Sequence, residues 1–193
     1  MANEEQVELL RQGYLVWNAW RKEHADIRPN LSYADLSEGF LSRADFSDAS
    51  FKGADLTYAY LLFTSFCNAD LLWANLCSAD LSGANLSGAN LKGVNFNSAN
   101  LTGANLCFAN LCFANLTDAK LNGTNFSTAR LGYTTLALVD FCNVQALDTV
   151  RHVGPSAITL GSVKLPEGPT RTHFLRGVGF SDTFIDYLPS LLA

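Results

Sequence analysis

Three histidines, five cysteines and eighteen carboxylates are the side chains with which this 193-residue chain could attack a substrate, ligate a metal or move a proton. Their spacing supports none of these. An active site needs polar groups that converge in a concave pocket. His24, His152 and His173 are instead scattered, and no G-x-S-x-G, P-loop, G-x-G-x-x-G or H-E-x-x-H pattern accompanies them. Cys67, Cys77, Cys107, Cys112 and Cys142 make an odd number without C-x-x-C spacing, which argues against a zinc site and against a disulfide framework. Arg151, His152, Arg171 and Arg176 form a loose group with two readings, an anion or partner site and a set of solvated loop charges. The sequence therefore predicts a non-enzyme with no metal and no cofactor.

Function must then come from elements that present a surface, and their order is written in a repeat. Leu or Phe stands at every fifth residue from Leu31 through Phe141, 23 positions without a break. Two residues earlier the side chain is small, usually alanine (Ala34, Ala44, Ala54, Ala84), and the intervening position is mostly Asp or Asn (Asp35, Asp55, Asn75, Asn95). A period of five is neither 3.6 nor 2, so the chain must turn once per pentad to keep one large and one small apolar group on the same axis. Four turns close a square coil of twenty residues, with backbone pairing between coils at about 4.8 Å. Pairs such as Lys52-Gly53 and Ser82-Gly83 supply the positive φ of a type II turn, while pentads with Asp48, Asn68 or Ser78 in the same place are expected to use type I or related turns. Departures at the small position, among them Thr64, Thr124 and Thr134, predict local widening. The Asp/Asn position is explained by turn and backbone hydrogen bonding. All five cysteines follow the central Leu/Phe and should point outward as free thiols.

This A-[DN]-L-x-x pattern resembles the pentapeptide-repeat family over residues 31–143. The resemblance implies an all-β solenoid, a right-handed quadrilateral β-helix, here of a little under six coils. Such a rod exposes unpaired edges at both ends, and both flanks read as covers. Residues 1–30 are expected to form a helical cap, with a helix over 4–24, Asn3 and Gln6 spaced as a capping box, and Val7, Leu10, Tyr14 and Trp17 on one face. Residues 144–193 are expected to form a C-terminal cap: a loop rich in Gly and Pro (Gly154, Pro155, Pro166, Gly168, Pro169), then a short helix over 181–192 with Ser181 as N-cap and Phe180 against Ile185. The phrases Thr149–Ser156, Phe174–Gly179 and Phe184–Leu192 resemble segments that precede toll/interleukin-1-receptor (TIR) domains in some bacterial pentapeptide-repeat proteins. That second resemblance implies a recognition module that is, or derives from one, paired with an effector.

Residues twenty apart stack, so the second turn position lines up Tyr33, Gly53, Trp73, Gly93, Phe113 and Tyr133, widened by Leu72 and Cys112. Outward aromatics on one edge suggest a protein-binding strip; the competing reading is that they pack along the ladder and cover backbone. A second stripe, Leu9, Val16 and Trp20, lies opposite the capping face of the first helix and reads either as a partner surface or as the seat of the loop His24–Ile27. The expected function is a structural or recognition scaffold that binds a protein partner or itself. The alternative, implied by the family, is a DNA mimic acting on DNA gyrase or another DNA-binding protein. Charge separates the two: residues 31–80 hold seven acids against Arg43 and Lys52, whereas 81–130 hold Asp118 against Lys92, Lys120 and Arg130. A mimic needs acid along its whole length. The net charge of −5 leaves no basic footprint for phosphates, so direct nucleic-acid binding is not expected. The acidic start, Met1–Glu5, and the lack of a bilayer-spanning apolar run predict a cytoplasmic protein with no membrane contact.

Overall fold

The computed structural model describes residues 1–159 and 163–191, with side chains described up to 187. Each pentad makes one side of a four-sided coil, and parallel bridges join residues twenty apart: Asn30 to Ser50, Asp35 to Asp55, Phe40 to Tyr60 and Asp45 to Ser65, then onward. We number the four sides by their first inward residues, so faces one to four are centred on Leu31, Leu36, Leu41 and Phe46. The Leu/Phe and Ala columns fill the interior; Leu81, Leu86, Leu91 and Leu101 are fully buried. Phe46, Phe51 and Phe66 pack together with ring centres 4.9–5.4 Å apart.

Local chemistry explains why one coil repeats so faithfully. The Asp/Asn oxygen accepts the N–H two residues on, as in Asp45 to Ser47 (3.0 Å) and Asn125 to Ser127 (2.9 Å). Stacked asparagines also bond to one another, Asn95 donating to Asn75 (2.9 Å) and Asn115 to Asn95 (3.3 Å). The turn after each Leu/Phe is uniform: every residue at its second position from Tyr33 to Leu138 has a φ between 55° and 70°, glycine or not. The expected split between turn types is therefore corrected, because ladder pairing on both sides of the corner fixes one geometry whatever side chain stands there. Left-handed backbone costs a non-glycine residue about 1 kcal/mol, so the coil imposes it against local preference. Nor do the threonines widen the coil. Thr64, Thr124 and Thr134 are buried with their hydroxyls satisfied: Thr124 and Thr134 donate to a carbonyl of the preceding coil, at 2.7 and 3.0 Å, and Thr64 donates to Leu61 O of its own coil at 2.7 Å.

The N-terminal cap is two helices, α1 (Glu4–Arg11) and α2 (Tyr14–Glu23), not the single helix expected over 4–24. Gly13, at φ 100°, breaks them. Asn3 caps α1 by accepting the Gln6 N–H, but the Gln6 side chain does not complete the box; it accepts the N–H of Asn30 on the first coil (2.8 Å). Trp17 is fully buried against Phe46 and donates its indole N–H to Asp45 O (2.8 Å). Asn18 accepts from Asp45 N and donates to Arg43 O, and Arg21 donates to Ser47 O.

At the other end, pairing does not stop at 143. It continues to Lys164 through steps that lengthen from twenty residues (Asn125 to Gln145) to Arg130 with Arg151, Thr135 with Ala157 and Asp140 with Lys164. The expectation of a little under six coils is thus short by one irregular coil. Ala146, in left-handed backbone, and a 3₁₀ turn at Leu147–Thr149 absorb the first extra residue, so Leu147 takes the inward place. A second surprise is α3 (Pro169–Val178), where the Gly/Pro content predicted loop; Pro169 is at its first turn, and Gly179 ends it in left-handed backbone. Phe174, Leu175 and Val178 are buried, with Phe174 on Phe141 (5.0 Å). The last helix, α4, spans Asp182–Leu191 with Ser181 accepting the Phe184 N–H. Phe180 stacks on Phe184 (5.0 Å), Ile185 is buried, and the expected end at residue 192 lies outside the described residues.

Candidate protein-interaction surface

Among the described residues no group of three His, Cys, Asp or Glu side chains is placed to hold a metal ion. Cys67, Cys77, Cys107 and Cys142 are at least partly exposed, as their outward position predicts. Cys112 is a correction: it is buried, lying between Lys92 and Gly132, and Val153 closes over Gly132. Partial desolvation, then its hydrogen bond to Asp140, pushes the Cys142 thiol up, away from the thiolate that redox chemistry needs. The group of Arg151, His152, Arg171 and Arg176 is divided. Arg176 pairs with Asp182, and His152 turns inward where the Leu31–Leu131 column continues.

The aromatic column is on the surface. Tyr33, Trp73, Phe113 and Tyr133 are 46–71% exposed, all in left-handed backbone. Phe113 and Tyr133 stack with ring centres 5.0 Å apart and 17° between planes, as their adjacent coils predict. Trp73 does not stand proud of gaps at Gly53 and Gly93. Its ring lies flat over Gly93, so close that a Cβ there would meet Trp73 Cε3 at 2.2 Å, and Tyr33 covers Gly53 in the same way. Each such ring spreads over the glycine of the next coil, which fixes its direction without a side chain alongside. Leu72 is half-buried at the edge of the strip.

A second aromatic surface was not anticipated. Phe40 and Tyr60 stack almost parallel (5.0 Å, 1°) on face three, flanked by Tyr58 and Phe63, and the four are 48–81% exposed. Phe40, Tyr58, Tyr60 and Glu38 line an open hollow of about 400 Å³. The signal was present in the sequence: Phe40 and Tyr60 occupy a position mostly held by Asp or Asn and elsewhere by other polar residues, and Tyr58–Phe63 is an unbroken apolar run. At the N-terminal end, the break at Gly13 resets the helical phase, so Leu9, Val16 and Trp20 are not one stripe. Leu9 packs against the core, Trp20 lies between Trp17 (5.3 Å) and His24 (5.0 Å, stacked), and Val16 faces outward beside the more exposed Leu15.

The sequence matches the family model described as pentapeptide repeats in eight copies, over residues 30–61, 55–93 and 89–127. None of the curated proteins matches it. Among solved structures, a pentapeptide repeat protein of the Arabidopsis thaliana thylakoid lumen is 38% identical over 49% of this chain and 66% of its own, with a TM-score of 0.48; the chain thus spans just under two thirds of that protein. HetL of Nostoc sp., a pentapeptide repeat protein involved in the regulation of heterocyst differentiation, is 29% identical over 72% of this chain and 79% of its own, with a TM-score of 0.30. A trypsin-treated form of QnrB1, a plasmid-mediated fluoroquinolone resistance protein, is 21% identical over 80% and 84%, with a TM-score of 0.54, a likeness of fold. Among the described residues no helix is long and apolar enough to cross a membrane.

Proposed function

The chain belongs to the pentapeptide-repeat family, whose fold is a right-handed β-helix, and from that premise we propose that it is a non-enzymatic recognition scaffold that binds a protein partner. The observation that carries this reading is the strip Tyr33, Trp73, Phe113 and Tyr133: large exposed rings held at fixed spacing by a backbone that does not need them for its core. Aromatic anchors of low conformational entropy are what protein interfaces concentrate. Self-association through the same surfaces belongs to this reading, as does a place in the cytoplasm beside a bacterial signalling or defence effector, which the TIR-like C-terminal phrases support. The DNA-mimic alternative needs an acidic rod, and Lys92, Lys120, Arg130 and Arg151 weigh against it.

The test is affinity capture with partners identified by mass spectrometry, followed by titration of the purified partner. Trp73→Ala with Phe113→Ala should weaken that binding about 100-fold or more at an unchanged melting temperature. Full affinity in the double variant overturns the assignment of the strip. Sedimentation of the unliganded protein reads self-association separately.

A further inference from the structure

We propose that the C-terminal half of face one is a docking site for an acidic, extended peptide segment of a protein partner; this rests on the scaffold reading and names the chemistry the scaffold recognises. The coil sorts charge around the rod as well as along it. Lys52, Lys92, Arg130 and Arg151 lie on face one, and Arg28 reaches onto it. Its one carboxylate, Asp70, is engaged by Lys52 (3.2 Å) and Arg28 (3.9 Å). Beyond Asp70 this face carries no acid. Face two, around the next corner, carries Asp35 and Asp55, with Glu38 and Asp118 at its far edge and no base.

Arg130 and Arg151 are register partners on adjacent coils, both exposed, and neither has an ion-pair partner among the described residues. Like charges set directly opposite one another destabilise a ladder, and a ligand carboxylate relieves that repulsion. At the corner of the face, three residues on from Arg130, stands Tyr133, with Phe113 on the neighbouring coil. Between arginines and rings no side chain projects at Cys112, which is buried, or at Gly132, and Val153 leans over Gly132 and ends this low stretch. The result is a short, shallow trough between Lys92 and Val153, with the two arginines along one wall and aromatics along the other.

The rings decide which polyanion fits. Phe113 is covered on one side by Tyr133 and on the other by the Lys92 ammonium, 5.3 Å from its centre, while Tyr133 lies over Gly154. Their faces are thus occupied and their edges point outward. A single-stranded nucleic acid stacks its bases on open ring faces, which this pair does not offer. Ring edges carry positive partial charge and suit carboxylates and apolar side chains.

The probe is a fluorescein-labelled octapeptide of six glutamates and two leucines, followed by anisotropy against salt. Wild type should bind it, more weakly as salt rises, and Arg130→Gln with Arg151→Gln should lower the affinity about tenfold or more. Lys120→Gln, on face three, should leave it unchanged. Relief of the like-charge pair should also raise the melting temperature of the arginine variant by about a degree, which keeps misfolding from passing as lost binding. Equal affinity in the arginine variant, or tighter binding of an oligothymidylate than of the peptide, overturns the proposal. Should the peptide fail to bind while partner binding still depends on Trp73 and Phe113, the acidic ligand falls and the scaffold reading stands.

Discussion

At the N-terminal end the first coil is closed by polar side chains that bond its open edge, Gln6 to Asn30, Trp17 and Asn18 to Asp45, Arg21 to Ser47. At the C-terminal end the last coil is closed by apolar contact: Phe174 sits on Phe141, and Gly177 of α3 is pressed so near His152 that a Cβ would meet its ring at 2.0 Å. Both His152 ring nitrogens are buried, with no hydrogen-bond partner among the described residues. The first edge repeats the regular coil, so it offers donors and acceptors at fixed places and can be met group by group. The last coil has lost that register, so its cover is shaped by volume, and one polar ring is trapped beneath it.

The comparison breaks most completely where neither cap acts. Leu81→Asp places a carboxylate in the fully buried central stack, at a cost of several kcal/mol, and should abolish the cooperative melt seen by circular dichroism. A retained native transition would contradict the inward Leu column.

Removing one cap residue from each end sharpens the contrast. Trp17→Ala loses a fully buried indole and leaves Asp45 O without its donor, about 3–5 kcal/mol. Because the first coil templates the next, hydrogen exchange should rise over Leu31–Phe51. Phe174→Ala should cost about 3 kcal/mol, with faster exchange confined to α3 and residues 147–158. Equal, global losses from the two variants would mean that the ends do not differ.

Acid should act at one end. Burial, and then the nearby positive charge of His173, lower His152 from 6.5 to about 4. The unfolded chain therefore binds more protons between those values, and stability present above pH 6.5 is lost as pH falls toward 4. Screening of the part-exposed ring limits the loss to about 1 kcal/mol. His152→Leu should flatten the melting temperature across this window, and an unchanged slope would place the titration elsewhere.

Smallest in energy is a kinetic difference between thiols. Cys142 lies exposed just past the last regular turn and Cys112 is buried on face one, so under native conditions an aromatic disulfide reagent should titrate four cysteines promptly and the fifth only on opening. Equal rates for all five would show that the trough floor is open.

The sequence by itself determined the coil. A period of five with one large, one small and one hydrogen-bonding residue has a single way to bury its apolar pair and satisfy its backbone, so the stack, the Asp/Asn turn hydrogen bonds, the exposure of four of the five cysteines and the adjacency of Phe113 and Tyr133 were legible as arithmetic on residue number. It also showed that both ends need covers. It did not show how they are covered: the break at Gly13, the helix from Pro169 and the extra coil through Lys164 are fixed by contacts between residues far apart in sequence, which override local turn signals. The candidate surface divides along the same line. Which residues share a column follows from spacing, but ring direction is set by packing over the next coil, while the closing of Val153 over Gly132 beside Cys112 and the unneutralised Arg130–Arg151 pair depend on insertions that lengthen the last coil, and only the folded chain decides where an insertion is absorbed.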